Sequence, residues 1–316
     1  MQKTRVAVVG VGYLGKFHAQ KYAGMPNVTL VGVVDTDRSL AEQVAADTQS
    51  AAFSDYRDLF GRVDAASVVV PTPSHYAISS ALLAQNIDLM IEKPITTSLD
   101  EADKLIDLAH SRSRLIQVGH LERFNSAVVA LQDIIHEPRF IESHRLSTYK
   151  PRATDVSVVL DLMIHDIDII HNLVNSEVDH IHAAGIPVVS DHVDIANARL
   201  EFKGGCVANV TASRISTKNE RKMRLFQRDA YISIDFANHE ATVVRKDEDA
   251  EGRGLIPGLG IEKRVFDRGD ALDDELRAFV HAVETREAPL VTGQMGRDAL
   301  ATALDVMSQI QKNDKH

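Results

Sequence analysis

The chain has 316 residues, 44% of them hydrophobic, a net charge of −10 and one cysteine, Cys206. This length predicts two domains, and the acidic balance without a basic cluster excludes nucleic acid or an anionic membrane as the main partner. One cysteine excludes an internal disulfide, no apolar run is long enough to span a bilayer and the first strand begins too early for a signal peptide, so we expect a cytoplasmic protein.

The first thirty-five residues carry the most informative pattern. An apolar run, 5–9, leads into Gly10, Gly12 and Gly15 as G-x-G-x-x-G, and a second apolar run ends at Asp35, twenty residues after the last glycine. Such glycines allow a tight turn and let a helix N-terminus meet a pyrophosphate. A carboxylate at Asp35 would accept hydrogen bonds from the adenosine ribose and repel a 2′-phosphate. The pattern predicts NAD as the cofactor, in preference to NADP; the alternative is a glycine loop with only a structural role.

Strand and helix patterns alternate up to about residue 120, which is typical of a parallel sheet buried on both faces. We therefore predict an α/β Rossmann domain over residues 1–120, with a doubly wound sheet. Ser98 and Glu101 form a capping-box pattern at the start of one of its helices. The predicted strands are 5–9, 30–35, 66–70, 88–91 and 115–118, and the predicted helices are 16–23, 39–48, 76–85 and 98–111.

The remaining residues, 121–316, predict an α+β domain with a large, mostly antiparallel open sheet. Successive strands here lack crossover helices, and Gly204-Gly205 marks a hairpin. A glycine-rich loop is expected over 252–260, and the last helix, 296–311, could pack on the first domain. The predicted strands are 140–149, 181–189, 194–202, 206–213, 222–227, 231–235 and 241–245, with a helix over 158–174.

Two segments close neighbouring strands of the first domain and place polar groups where open α/β sheets bind ligands. Glu92-Lys93-Pro94 follows the fourth strand, and a cation at Lys93 could polarise a hydroxyl or carbonyl oxygen. Thr72 and His75 lie in the stiff turn after the third strand. Each of these could instead be an ordinary surface, cap or turn residue. The predicted cofactor-binding residues are Gly10, Gly12, Tyr13, Leu14, Gly15, Asp35, Thr72, His75, Glu92 and Lys93.

A second constellation lies on the helix predicted over 158–174. Asp161 and His165 are four residues apart and share a helical face, so that a carboxylate could orient the imidazole as a general base requires. Asp166 and Asp168 follow, and a salt-bridge or helix-dipole role is favoured for them. A metal site is a weaker alternative, because no second cluster has ligand spacing. We therefore expect no metal.

Together these motifs resemble the Gfo/Idh/MocA oxidoreductases, in order and spacing and over nearly the whole chain. That resemblance implies a Rossmann domain followed by a substrate-binding and oligomerisation domain whose open sheet is commonly paired between subunits. It implies that Lys93 is the catalytic lysine, and that Asp161 and His165 form the substrate-binding and proton-transfer pair. We therefore expect a homodimer or homotetramer.

The segment from Gly119 to Asn125 and the helix motif DLMIHDID resemble the branch of the family that contains UDP-N-acetylglucosamine 3-dehydrogenases. The resemblance implies NAD-dependent oxidation of a sugar hydroxyl, with an aminotransferase acting downstream. The alternatives are an inositol or free-sugar dehydrogenase, and a non-catalytic NAD-binding sensor. Basic and polar residues near predicted element ends are candidates to bind a UDP-sugar: Arg123, Asn125, Tyr149, Lys150, Arg152 and Arg214, in addition to Asp161 and His165.

Overall fold

The computed structural model describes residues 3–149, 156–246 and 258–313. Its contacts divide the chain into unit 1, residues 1–121 and 270–298, and unit 2, residues 122–269 and 299–316. The segment 270–298, which the sequence placed with the second domain, thus packs in unit 1. The reason is its helix α7, Ala271–Thr285, whose buried Leu276, Phe279 and Val280 share a core with Tyr22 of the first helix. Among the described residues, no helix has the length and hydropathy needed to cross a membrane.

Unit 1 contains a six-stranded sheet in the order β3-β2-β1-β4-β5-β6, and every neighbouring pair is parallel. This order reverses direction at β1, as in a doubly wound nucleotide-binding sheet, so the predicted Rossmann fold is confirmed. The short third strand was not predicted. The strands are β1 Thr4–Val9, β2 Val28–Val34, β3 Ala51–Phe53, β4 Ala65–Val68, β5 Asp88–Glu92 and β6 Ile116–Gly119.

Two of the helices of unit 1, α2 and α4, begin at polar side chains that cap them. Asp37 accepts hydrogen bonds from the backbone of Ser39 and Leu40 at the start of α2, and Ser98 accepts one from Glu101 N–H at the start of α4. Each cap satisfies backbone donors that the helix leaves unpaired. The helices are α1 Gly15–Gly24, α2 Arg38–Thr48, α3 His75–Ala84, α4 Leu99–Ser111 and α7 Ala271–Thr285.

Unit 2 contains an eight-stranded sheet in the order β14-β13-β12-β11-β7-β10-β9-β8. Only the β7–β10 pair is parallel among the neighbours described, which confirms the mostly antiparallel prediction. Strand β14 starts inside the predicted loop 252–260, whose earlier residues lie outside the described part. The strands are β7 Phe140–Leu146, β8 Val178–Ile186, β9 Ile195–Phe202, β10 Val207–Ser213, β11 Glu220–Phe226, β12 Ala230–Asp235, β13 Glu240–Lys246 and β14 Leu259–Val265.

One face of this sheet packs on the core of unit 2. Along β7, buried Ile141, Ser143 and Arg145 alternate with half-buried residues, as a sheet with one packed face requires. The buried face meets apolar side chains of three helices. These helices are α5 Ser126–Val129, α6 Ile164–Val174 and the unit 2 part of α8 Gly293–Asn313.

Candidate active site

The glycine loop after β1 is shaped by two close backbone approaches. Gly10 has a φ of +86°, and a Cβ there would lie 2.5 Å from the Val69 carbonyl oxygen. A Cβ on Gly15 would lie 1.9 Å from the Gly10 carbonyl oxygen, so neither position accepts a side chain. By contrast, no described atom lies within 4 Å of a Cβ built on Gly12. The loop is therefore packed behind Gly10 and Gly15 and leaves the Gly12 side open for a pyrophosphate.

The first turn of α1 has a positive character that suits phosphate. It contains Lys16 and no acidic residue, and helix N-termini favour anions. Leu14 is half-buried and its carbonyl accepts from Phe17 N–H at 2.9 Å, whereas Tyr13 is 64% exposed. The Tyr13 ring meets Phe17 edge-on, and Lys16 Nζ lies 5.6 Å from its centroid. Tyr13 thus lies at the surface beside the open side of the loop.

Asp35 follows β2 and joins the glycine loop to the start of α2. Its Oδ2 accepts from Val11 N–H at 2.9 Å, and its Oδ1 accepts from Asp37 N–H at 2.9 Å. The carboxylate is half-buried and still has lone pairs for ribose hydroxyls. Arg38, the basic residue nearest to it in sequence, donates from Nε to Glu42 at 2.8 Å. A carboxylate that can accept from ribose hydroxyls, next to an arginine that is already bonded to Glu42, fits NAD.

His75 links the turns that follow β4 and β5. Its ring is buried, with Nε2 2.8 Å from the Val70 carbonyl oxygen and Nδ1 3.0 Å from the Pro94 carbonyl oxygen. Burial lowers the pKa of this imidazole, although the nearby backbone carbonyls act in the opposite direction. A neutral ring carries one N–H and donates to only one carbonyl at a time. The structure therefore places His75 as a link between turns, while the half-buried Thr72 begins the 3-10 turn Thr72–Ser74.

Glu92 and Lys93 close β5. The Glu92 Oε1 lies 3.2 Å from His18 Nε2, and its Oε2 accepts from Lys93 N–H at 3.3 Å. Burial acts to raise the pKa of the Glu92 carboxyl, but His18 and then Lys93 outweigh it and lower that pKa. Lys93 is half-buried, and the Lys93–Pro94 peptide is cis. Sequence reasoning missed His18, although a histidine on the face of α1 that also carries buried Ala19 and Tyr22 was a usable signal.

In unit 2, Asp161 and His165 lie on either side of a change in helix type. Asp161 is in a π-helical turn, Val159–Met163, and His165 is in α6, which starts at Ile164. The predicted continuous helix over 158–174 therefore begins with one π turn, a feature frequent at functional sites. Both side chains are half-buried, and buried Met163 and Ile164 anchor the segment between them.

Arg123 and Asn125 point into unit 2. Arg123 is 3% exposed, with Nη2 donating to Asn172 at 2.7 Å and Nη1 3.6 Å from Asp168. Asn125 caps α5 by accepting from Ala127 N–H at 3.1 Å. Both side chains therefore have structural partners inside the unit.

The other predicted substrate ligands fall into three groups. Arg214 is 6% exposed, donates to the Val156 carbonyl and has its Nε 3.8 Å from Asp194. Tyr149 is 47% exposed at the end of the described segment. Lys150 and Arg152 lie outside the described residues. Among the described members of this set, Tyr149 is the one that lies at the surface.

A buried ionic cluster in unit 2 was not predicted as a whole. Arg145 of β7 binds Asp166 of α6 through Nε at 3.1 Å and Nη2 at 2.8 Å, and its Nη1 binds Glu122 at 2.9 Å. The favoured salt-bridge role of Asp166 and Asp168 is confirmed by these contacts and by the Arg123 pair. The cluster fixes the helix that carries His165. Within the described ranges, no group of three or more metal-ligating side chains occurs.

Two family models match the chain. Residues 4–120 match an oxidoreductase family with an NAD-binding Rossmann fold, and residues 128–233 match the GFO/IDH/MocA C-terminal domain. The chain belongs to the GFO/IDH/MocA oxidoreductase family. With the glycine loop and Asp35 in place, it is an NAD-dependent oxidoreductase.

Individual proteins and solved structures are similar to this chain over nearly its whole length. A UDP-N-acetylglucosamine 3-dehydrogenase from Acidithiobacillus ferrooxidans is 37% identical over 311 residues, which cover 97% of each chain. A solved structure of that enzyme superposes with a TM-score of 0.94 over 99% of both chains. A myo-inositol 2-dehydrogenase from Thermotoga maritima is 24% identical over 94% of this chain and 93% of the relative. Levoglucosan dehydrogenase in complex with NADH and levoglucosan shares the fold, with a TM-score of 0.88 at 17% identity over 98% of both chains.

Proposed function

We propose that the protein oxidises the 3-hydroxyl of UDP-N-acetylglucosamine, or of a related UDP-sugar, to a ketone with NAD. The observation that carries this proposal is the match to a UDP-N-acetylglucosamine 3-dehydrogenase at 37% identity over 97% of both chains. The match spans the glycine loop and Lys93 of unit 1 and the Asp161–His165 segment of unit 2. An inositol dehydrogenase is the second candidate, because the myo-inositol relative also matches nearly end to end.

Three residues carry the proposed chemistry. When bound, NAD supplies the hydride acceptor. His165 removes the proton from the sugar hydroxyl, and Asp161 orients the substrate and the imidazole. The Lys93 ammonium holds the hydroxyl oxygen and stabilises the negative charge that develops on it. The alternative is that Lys93, rather than His165, is the formal base.

Substrate binding divides into direct and indirect roles. We propose that Tyr149 and Arg152 contact the nucleotide part of the substrate, supported for Tyr149 by its exposed ring. Arg123, Asn125 and Arg214 have internal partners, so we propose that they act by holding the elements that carry the site.

Three further proposals concern the setting of the enzyme. The 3-keto product is a substrate for an aminotransferase, which we propose acts next. Sugar nucleotides and NAD are cytosolic, so we place the reaction in the cytoplasm.

We propose a homodimer or homotetramer formed through the sheet of unit 2. The face of this sheet opposite the core carries a half-buried aromatic cluster of Phe140, Phe226 and Tyr231.

The proposed substrate is tested by following NADH absorbance with UDP-N-acetylglucosamine, free N-acetylglucosamine and myo-inositol. Lys93→Met, which keeps an unbranched side chain without the charge, is the matched negative control. Turnover of the UDP-sugar alone supports the proposal. Turnover of myo-inositol alone supports the second candidate. NAD binding with no NADH from any of the three substrates would support the sensor alternative, against which Lys93, Asp161 and His165 together argue.

A further inference from the structure

A buried network of polar side chains in unit 1 ends at Glu92, the residue before Lys93. On α1, His18 and Tyr22 are four residues apart and both are 0% exposed. Tyr22 Oη lies 2.8 Å from Ser67 Oγ of β4, and His18 Nδ1 lies 3.3 Å from the same oxygen. The other ring nitrogen, Nε2, lies 3.2 Å from Glu92 Oε1. The polar network therefore connects α1, β4 and the carboxyl end of β5.

The Glu92 carboxylate fits a space made for it. Gly119 of β6 pairs directly with Glu92, and a Cβ on Gly119 would lie 2.9 Å from each of three carboxylate atoms. Real Cβ atoms essentially never approach that closely, so any side chain at residue 119 would displace the carboxylate. With Oε1 facing His18 and Oε2 accepting from Lys93 N–H, the carboxylate is fixed on three sides.

The charges around this group favour its ionised form. His18 and Lys93 lower the pKa of the Glu92 carboxyl although burial acts to raise it. The Glu92 charge also acts on His75 of α3 and favours its charged form, although burial lowers the pKa of that imidazole. At the opposite end of this network from Glu92, burial raises the pKa of the Tyr22 hydroxyl. The negative charge of Glu275 in α7 acts in the same direction. An unpaired carboxylate in this position would protonate, since isolated buried charges neutralise.

We propose that His18 and Glu92 are positioning residues that hold the Lys93 backbone, and with it the ammonium group, in the orientation the reaction needs. His18 acts through Glu92, and Glu92 acts through the Lys93 N–H and its charge. The value of this arrangement for turnover rests on the proposed function, which gives Lys93 its role at the sugar hydroxyl. The hydrogen bond from the Lys93 N–H to the Glu92 carboxylate does not depend on the substrate.

The first test needs no substrate. It measures how well the Lys93 N–H is protected from amide hydrogen exchange, in the peptide that contains Lys93. His18→Leu removes the partner of Glu92, and Gly119→Ala displaces its carboxylate. Both should speed exchange at Lys93 by about tenfold or more, because the accepting carboxylate is lost or moved. His18→Gln, which keeps an amide donor, should restore most of the protection. Gly24→Ala is the matched control, because a Cβ on Gly24 meets nothing within 4 Å.

The second test is infrared spectroscopy at mildly acidic pH. Without His18 the pKa of the buried Glu92 carboxyl should rise, so His18→Leu should show the C=O stretch of a protonated carboxyl. The spectra of the wild type and of the His18→Leu/Glu92→Gln double variant should lack this added band. A loss of packing alone would not produce a band that depends on Glu92.

The third test is turnover of the proposed substrate. His18→Leu and Gly119→Ala should slow single-turnover hydride transfer by about tenfold to a hundredfold, as small misplacements of reacting groups do, with NAD affinity within about threefold. Unchanged exchange at Lys93 in both variants would overturn the inference whatever their activity. Changed exchange with normal hydride transfer would overturn the link to catalysis. A wild type that oxidises no sugar would contradict the proposed function, while the exchange result would still decide the hold on Lys93.

Discussion

Asp35 should set the choice between NAD and NADP. Its Oδ2 already accepts from Val11 N–H, so the carboxylate that we expect to bind the adenosine ribose also shapes the glycine loop. We expect the wild type to bind NAD at least about tenfold more tightly than NADP, because like charges some 6 Å apart repel by about 3 kcal/mol at an effective dielectric of about 20, and less with solvent screening. A hydrogen bond to a charged group contributes about 1.5–3 kcal/mol. Asp35→Ser should therefore weaken NAD binding by about tenfold to a hundredfold.

Calorimetric titration of both cofactors measures these effects. Asp35→Ser should narrow the NAD preference to less than about threefold, since the repulsion goes with the charge. Asp35→Asn keeps an acceptor for Val11 and separates loss of charge from loss of loop order. Arg38→Ala is the control, because the Arg38 guanidinium is paired with Glu42 and should leave the preference unchanged. Equal wild-type affinities, or an Asp35→Ser variant with an unchanged preference, would refute the reasoning.

Three further outcomes are expected. Lys93→Met and His165→Ala should each slow single-turnover hydride transfer at least about a hundredfold, as loss of acid–base groups does, with NAD affinity within a few-fold; near wild-type rates in both would show that neither belongs to the site. Burial acts to raise the pKa of Asp194, but bonds from Val188, Val189 and Ser190 lower it to about 2. Asp194→Asn should therefore cost about 2 kcal/mol in urea unfolding at neutral pH, a difference that shrinks as pH falls from about 4 towards 2, where the wild-type carboxylate protonates; an equal cost at pH 7 and pH 2 would contradict this origin. Light scattering after size exclusion should give the mass of two or four chains, whereas one chain's mass, unchanged on tenfold concentration, would contradict the proposed assembly.

The sequence predicted the elements whose patterns are local. Glycine spacing and apolar runs located β1, β2 and the loop between β1 and α1, and alternation located most strands of unit 2. Strand β3 was missed because Ala51–Phe53 is three residues long and largely exposed. The return of α7 to unit 1 was also missed, because an amphipathic helix shows which of its faces is apolar but not which sheet that face covers.

The site was predicted less completely than the fold, for a related reason. Charged residues in a sequence do not reveal their partners. Arg123 was expected to face substrate, but Asp168 and Asn172 lie beside its guanidinium. Arg145 was not noticed because its partners come from distant segments. The π turn at Asp161 depends on how a helix start packs, which periodicity does not encode.

The proposed reaction removes hydride from carbon 3 of the sugar of UDP-N-acetylglucosamine. UDP-N-acetylglucosamine deuterated at that carbon, incubated with the wild-type protein and NAD, shows whether that hydride reaches the cofactor. We expect deuterium in the reduced cofactor, a primary isotope effect on single-turnover hydride transfer, and label transfer at least about a hundredfold slower with Lys93→Met. Reduced cofactor without deuterium, or label transfer from deuterated myo-inositol and none from the UDP-sugar, would contradict it.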